Sequence, residues 1–415
     1  MNVRLLAAGL VGAACGAVAV LALSGPSTTA SGEVGAATTA EPEPTTTPAP
    51  TTAPDPRLDE DEDDVLLVWA SSGLPDRAAA RLASVPDILE VTTVAGHELE
   101  LLAPVRAAIA TDGRLGDGWV VPIDVLAIDP RSYSSVVPDG AAADLATLAP
   151  GSAALGETSA MLRGVGIGDV IELTSGLVEV AMIVPDRAVA GAELVVHHDD
   201  AERLGVVVDR FLLVAHDGDR REVQRAIDRA LGLAAPVRFR TPAETTWLRH
   251  GDAVLPLAMV KDRFGEFAYR PGQGISITID PAWEAAHLVE AAVPILGDVR
   301  CHRDLVPILD AALSALERDG LAHLVTLEQF AGCHVARRIG PDQALSRHSW
   351  GIAVDLNVDD NPRGSFSTQD PRLVETMREH GFGWGGAWLV PDPAHYELVA
   401  ATPTASGPEP REPSG

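Results

Sequence analysis

Apolar and polar positions follow three different rhythms along this chain. An unbroken apolar run fills positions 5–23, behind Met1-Asn2-Val3-Arg4. It is near the ~20 residues that span a bilayer and longer than the roughly 7–15 of a secretory signal core. Residues 1–24 therefore read as a signal anchor, with a cleaved signal peptide as the alternative. Arg4 precedes the run and acidic residues follow it, so the positive-inside rule puts the N-terminus in the cytoplasm and the rest outside. Cys15 lies within the run instead of closing it, which argues against lipidation. From 25 to 64 the rhythm disappears into Thr, Pro and Ala, ending in Asp59-Glu60-Asp61-Glu62-Asp63-Asp64. Such a segment cannot bury enough apolar surface to order itself and reads as a disordered spacer. Residues 401–415 are of the same kind.

Strand-length patterns begin at Val65-Leu66-Leu67-Val68-Trp69. A helix is expected over 76–84 and a second strand over 90–94, a β-α-β start that suggests an α+β domain. Residues 169–173 and 177–180 read as a hairpin. Asp219 caps a helix in which Val223, Ile227 and Leu231 recur every four residues and Gly232 stops the chain. In the last third, Leu305, Ile308, Leu309, Ala312, Leu313 and Leu316 form one helical stripe, closed by Gly320. Asp370 and Pro371 open a further helix that Gly381 ends. The expected organisation is two α+β domains, 65–245 and 255–400. The second combines a small antiparallel sheet with flanking helices.

Composition narrows the partners. The chain has 415 residues, 46% of them hydrophobic, and a formal charge of −28. That charge excludes nucleic acid and anionic lipid headgroups as main partners. Lys261 is the only lysine. Beyond Cys15, the cysteines are Cys301 and Cys333. An even count in an oxidising compartment suggests a disulfide between them, with two separate thiols as the alternative. His197-His198-Asp199-Asp200 reads as a solvated loop, and Gly164, Gly166 and Gly168 as a turn.

The chemistry concentrates in Ser346-Arg347-His348-Ser349-Trp350-Gly351-Ile352-Ala353-Val354-Asp355 and in Asp392-Pro393-Ala394-His395. His348, Asp355 and His395 offer two imidazoles and one carboxylate. That is the ligand count of a catalytic zinc site with one position left for water. His348 is expected on a loop, Asp355 and His395 on two paired strands, and Glu397 two residues along as a support for His395 or Arg337.

These motifs resemble the VanY-type zinc D-alanyl-D-alanine carboxypeptidases and their L-alanyl-D-glutamate endopeptidase relatives. Ser346, His348, Gly351, Ala353 and Asp355 match one motif, and Asp392, His395, Tyr396 and Glu397 the other. Gly383-Trp384-Gly385-Gly386 and Cys301-His302-Arg303 also look like the family. The resemblance implies Zn2+ on His348, Asp355 and His395, with Asp392 as general base and then acid. It implies Arg337 as the oxyanion donor, with Arg338 as the fallback. Ser346 is a candidate for substrate or ligand contact, and Trp350, Trp384 and Trp388 for walls of the cleft, with packing inside the core as the alternative for each. The implied substrate is a peptidoglycan stem peptide. Aspartate at 392 resembles the endopeptidase branch, so the bond stays open between carboxypeptidase and endopeptidase cleavage. Alternatives are a non-catalytic cell-wall binding protein and a zinc amidase on peptidoglycan. Val121-Pro122-Ile123-Asp124, Gly156-Glu157-Thr158-Ser159 and Gly166-Ile167-Gly168-Asp169 resemble the MacB-type periplasmic core domain. That likeness implies binding or coupling to an unidentified protein partner.

Overall fold

The first strand starts where the acidic run ends. In this computed structural model the described residues are 64–70, 73–107, 109–137, 141–206, 209–232, 237–241, 255–340 and 344–399. The expectations for 1–24, for 401–415 and for the spacer before Asp64 fall outside them. Among the described residues no helix is long and apolar enough to cross a membrane.

Nine strands form the earlier, larger sheet: β1 (Val65–Ala70), β2 (Ile88–Ala103), β3 (Val121–Ile128), β4 (Ser152–Gly156), β5 (Val170–Leu173), β6 (Gly176–Val184), β7 (Leu194–His197), β8 (Asp209–His216) and β9 (Val237–Arg240). Pairing of β3 with both β7 and β2 closes six strands into a ring, β2-β3-β7-β4-β6-β5. From β2 the sheet continues through β8 and β1 to β9. All six ring strands feed one core, to which Leu101, Ile123, Leu155, Ile171, Val180 and Leu194 contribute. The other face of β1 and β8 packs on the helices Ala78–Leu82 and Arg220–Leu231 through Leu82, Val223, Ile227 and Leu231. Asp219 caps the second helix by accepting from Glu222 N at 3.0 Å.

The strand expected to end at Val94 instead runs to Ala103. Gly96 lies within it at a place of close approach: a Cβ there would lie 2.9 Å from Leu126 Cδ2. The glycine makes room for its cross-strand partner Leu126, and β2 continues beside β3 with Glu98 and Glu100 on one face.

The C-terminal domain is built from β10 (Tyr269–Pro271), β11 (Ile277–Ile279), β12 (Leu288–Val293), β13 (Gly297–His302), β14 (Ala353–Asp355), β15 (Phe382–Trp384) and β16 (His395–Leu398). They form three small antiparallel sheets, the last in the order β14-β16-β15. Helix Val306–Arg318 buries Leu309, Ala312, Leu313 and Leu316, as its stripe requires. Asp370 caps the helix Pro371–Glu379 through Arg372 N at 2.9 Å. Cys301 on β13 is disulfide-bonded to Cys333, with Cα atoms 5.4 Å apart.

The two domains meet over a polar, buried seam. Lys261 and Glu266 of the C-terminal domain enclose Glu193 and Arg163 of the sheet domain. Lys261 Nζ lies 2.8 Å from Glu193 Oε1, and Arg163 Nη2 lies 2.8 Å from Glu193 Oε2 and 2.7 Å from Glu266 Oε1. Lys261 Nζ also donates to the Pro122 carbonyl. Burial pushes the Glu193 carboxyl up, but Lys261 and Arg163 outweigh it and leave it below the usual carboxylate range. The one lysine of the chain is thus a buried partner in an ion-pair network, which composition did not reveal.

Candidate metal centre

Pairing of β14 with β16 sets Asp355 directly opposite His395. Strands this short can hold two side chains together because β15 flanks β16 on its other edge. His348 comes from a single 3-10 turn, Arg347–Trp350, where an irregular loop was expected. Ser346 caps that turn, its Oγ accepting from His348 N at 3.4 Å. Gly351 ends it at φ 68°, and a Cβ there would lie 2.8 Å from His302 N. The motif spacing therefore has a local cause. Serine starts the turn, histidine sits within it, and only glycine permits the exit into β14.

The tautomer of His348 follows from its neighbours. Its Nδ1 faces the Cys333 carbonyl at 2.9 Å, a contact that only a protonated Nδ1 satisfies. Nε2 then carries the lone pair. It is buried without a hydrogen-bond partner and lies 3.1 Å from Asp355 Oδ1 without hydrogen-bond alignment. Asp355 Oδ1 also lies 2.9 Å from His395 Nδ1, while His395 Nε2 faces Glu397 Oε2 at 3.5 Å. Two nitrogen lone pairs and a carboxylate oxygen cannot face one another in a buried space without a cation or a proton between them. Burial pushes the Asp355 carboxyl up, but its contacts with His348 and His395 hold it below the usual range. Burial lowers the His395 pKa, yet the carboxylates of Asp355 and Glu397 raise it to about 10. The candidate ligand atoms of His348, Asp355 and His395 all lie within 4.8 Å of one another. The Cys333 carbonyl and Glu397 orient the two rings from behind. The donor set fits a divalent metal.

Asp392 precedes His395 on a turn held by Asp392 N donating to Gly385 O at 2.9 Å. A Cβ on Gly385 would lie 2.5 Å from the Asp392 carbonyl oxygen, so this approach needs glycine. Burial pushes the Asp392 carboxyl up, and the Asp355 charge adds to this. Arg363 Nε stands 3.8 Å from it, a neighbour that no sequence motif announced. Trp388 flanks the cluster, its ring 5.2 Å from that of His395. Trp384 is partly buried and donates to Pro393 O at 2.9 Å, bracing the same turn.

Arg337 and Arg338 separate clearly. The Arg338 guanidinium is spent on Glu100 at 3.1 Å and the Tyr269 hydroxyl at 2.8 Å. The Arg337 backbone is pinned to the motif, its N–H donating to Ser349 Oγ at 3.1 Å. Its guanidinium has no ion pair or hydrogen bond among the described residues. Trp350 corrects an expectation. It is fully buried, donates to Gly265 O at 3.1 Å and packs on Phe267, so it supports the core and lines no cleft. The His334 ring is buried against Glu284 and Arg300. His302 is buried and faces Phe264 O at 3.2 Å. His197, His198 and Asp199 cluster as well, but His198 and Asp199 are exposed.

His348, Asp355 and His395 all lie within the stretch of the chain that comparison picks out. Residues 340–398 match the family described as D-alanyl-D-alanine carboxypeptidase. No curated protein matches the chain. Among solved structures, the periplasmic region of MacB from Actinobacillus actinomycetemcomitans is similar at 9% identity and TM-score 0.31, over 43% of this chain and 89% of that one. The extracellular domain of the noncanonic ABC-type transporter YknZ from Gram-positive bacteria is similar at 12% identity and TM-score 0.29, over 42% and 99%. A domain of a putative permease protein from Porphyromonas gingivalis is similar at 10% identity and TM-score 0.28, over 48% and 97%.

Proposed function

We propose that this protein is a zinc-dependent peptidase that acts outside the cytoplasm on peptidoglycan stem peptides. The observation that carries the reading is the convergence of His348 Nε2, Asp355 Oδ1 and His395 Nδ1 beside Asp392. The family match over residues 340–398 supports the peptidase class. The apolar run at 5–23 and the Cys301–Cys333 disulfide support an extracytoplasmic place.

His348, Asp355 and His395 would hold the ion. When bound, zinc supplies a Lewis acid that makes water a nucleophile near neutral pH and polarises a carbonyl. Asp392 accepts the proton released by the attacking water and passes it to the departing amine. Its raised carboxyl makes it a stronger base toward the attacking water, and a pKa shifted toward the working pH lets it hold the proton until the amine departs. The Arg337 guanidinium stabilises the negative charge that develops on the carbonyl oxygen. Glu397 keeps the His395 ring oriented, and Trp388 narrows the approach to it. Aspartate at 392 favours cleavage between L-Ala and D-Glu over removal of a terminal D-Ala.

The test is digestion of purified peptidoglycan, read by mass spectrometry, with and without a chelator. A chelator-sensitive new L-Ala terminus or D-Ala release is expected, and Asp392→Asn should keep bound zinc while losing at least ~10²-fold in rate. Bound zinc without any cleaved peptide bond would turn the reading toward a cell-wall binding protein.

A further inference from the structure

The turn that carries His348 is not held by the C-terminal domain alone. Residues 333–338 and 345–350 run side by side as a ribbon. Val335 N donates to His348 O at 3.0 Å, Ser346 N to Arg337 O at 3.0 Å, and Arg338 bridges Leu345. Three of the groups that orient His348 lie on this ribbon: the Cys333 carbonyl behind its ring, the Ser346 cap and the Ser349 hydroxyl on Arg337. The ribbon turns back on itself just beyond Arg338 and Leu345, where Ile339 N donates to Ala344 O at 3.0 Å. That end is gripped by the other domain.

The grip comes from one face of β2. Glu98 Oε1 accepts from Leu345 N at 3.1 Å, and Oε2 lies 3.4 Å from the same nitrogen. Two residues along, Glu100 Oε1 accepts from Arg338 Nη2 at 3.1 Å. The alternation of a strand places both carboxylates on the same side, and Leu102, next on that side, packs into the C-terminal core. Elsewhere the Lys261–Glu193–Arg163–Glu266 seam binds the same two domains. Each strand of the ribbon is thus fixed by one carboxylate of β2.

This arrangement is costly for the sheet domain. Glu98 pairs directly with Asp124 across β2 and β3, and like charges at opposed positions destabilise a sheet. Burial and Asp124 together raise the Glu98 carboxyl to about 7. A residue that lowers local stability is retained most readily where it serves a site.

We propose that Glu98 is a positioning residue for the metal centre: through Leu345 N–H, the sheet domain sets the ribbon that presents Ser346 and His348. The sheet domain is then a working part of the active site as well as a neighbour of it. This rests on the metal-site reading above.

The experiment is cobalt binding by the intact chain, followed by chelator competition and by the visible ligand-field spectrum. Glu98→Ala should weaken cobalt affinity about 10-fold, the scale seen when a group that orients a ligand is removed, and shift the spectrum. Glu98→Gln keeps an acceptor oxygen and should stay within about twofold of wild type by the same measure. A folded Glu98→Ala protein with unchanged affinity and spectrum overturns the proposal. If Glu98→Ala does not fold, Glu100→Ala decides: a shifted spectrum supports the grip, and an unchanged one overturns it. Wild-type protein that takes up no cobalt overturns both this inference and the metal-site reading. A cobalt effect in a protein that cleaves no peptide sinks the peptidase reading and leaves the positioning role standing.

Discussion

Arg337 and Arg338 are adjacent in sequence and opposite in commitment. Arg338 stacks over the Tyr269 ring and closes on Glu100, whereas Arg337 lends only its backbone to the motif. Arg337→Ala is therefore expected to cut kcat/KM on a muropeptide about 10²–10³-fold, the usual cost of an oxyanion donor. Arg338→Ala should instead lower the melting temperature and, through the lost Glu100 contact, shift the cobalt spectrum, with a smaller loss of kcat/KM than Arg337→Ala. Equal losses of kcat/KM in the two variants would remove the distinction. Glu98 carries a pH signature. Its folded pKa of about 7 lies above the ordinary carboxylate range, through burial and Asp124, against the Leu345 N–H and the cations Lys261 and Arg338. Between about pH 4 and pH 7 the folded state holds a proton the unfolded chain has lost, so this group's contribution falls as pH rises. Urea melts should show wild type losing stability relative to Glu98→Gln across that window and no further change above it. A difference independent of pH would mean that Glu98 titrates normally.

At the scale of elements, the strand pair and the turn were legible and their support was not. Ser346, His348, Gly351 and Asp355 have spacings that follow from cap, turn, left-handed exit and strand, each a local matter. The tautomer of His348 depends on the Cys333 carbonyl, which arrives from fifteen residues away. The disulfide to Cys301 ties that carbonyl to β13. Replacing both cysteines by serine should cost about 2–5 kcal/mol in chemical unfolding, and the same loss should follow when wild type is reduced. An unfolding midpoint that ignores reductant would show that hydrogen bonding alone holds this segment. Trp350 teaches the converse. Its place next to a ligand suggested a cleft wall, but neighbours in a 3-10 turn point to different sides, and its side goes to the core.

For the whole molecule, the buried seam decides whether two domains behave as one. Lys261 has full burial and two carboxylates, Glu193 at 2.8 Å and Glu266 at 3.3 Å. Breaking such a pair from one side leaves an unpaired buried charge, at about 3–5 kcal/mol. Lys261→Met is expected to lower the melting temperature and to split calorimetric unfolding into two transitions. A single transition at the wild-type temperature would show that the apolar contacts suffice.

By itself the sequence determined what short-range physics can encode. Period and caps placed the helices Arg220–Leu231, Val306–Arg318 and Pro371–Glu379, and the hairpin of β5 and β6. Residue type and spacing picked out His348, Asp355, His395 and Asp392. Tertiary structure alone decided the rest, because it depends on groups distant along the chain that meet in low dielectric. Gly96 became a strand residue only opposite Leu126. Lys261 became an internal ion only against Glu193. Glu98, more than two hundred residues from the turn it grips, became part of the metal centre's support only when the two domains closed on each other.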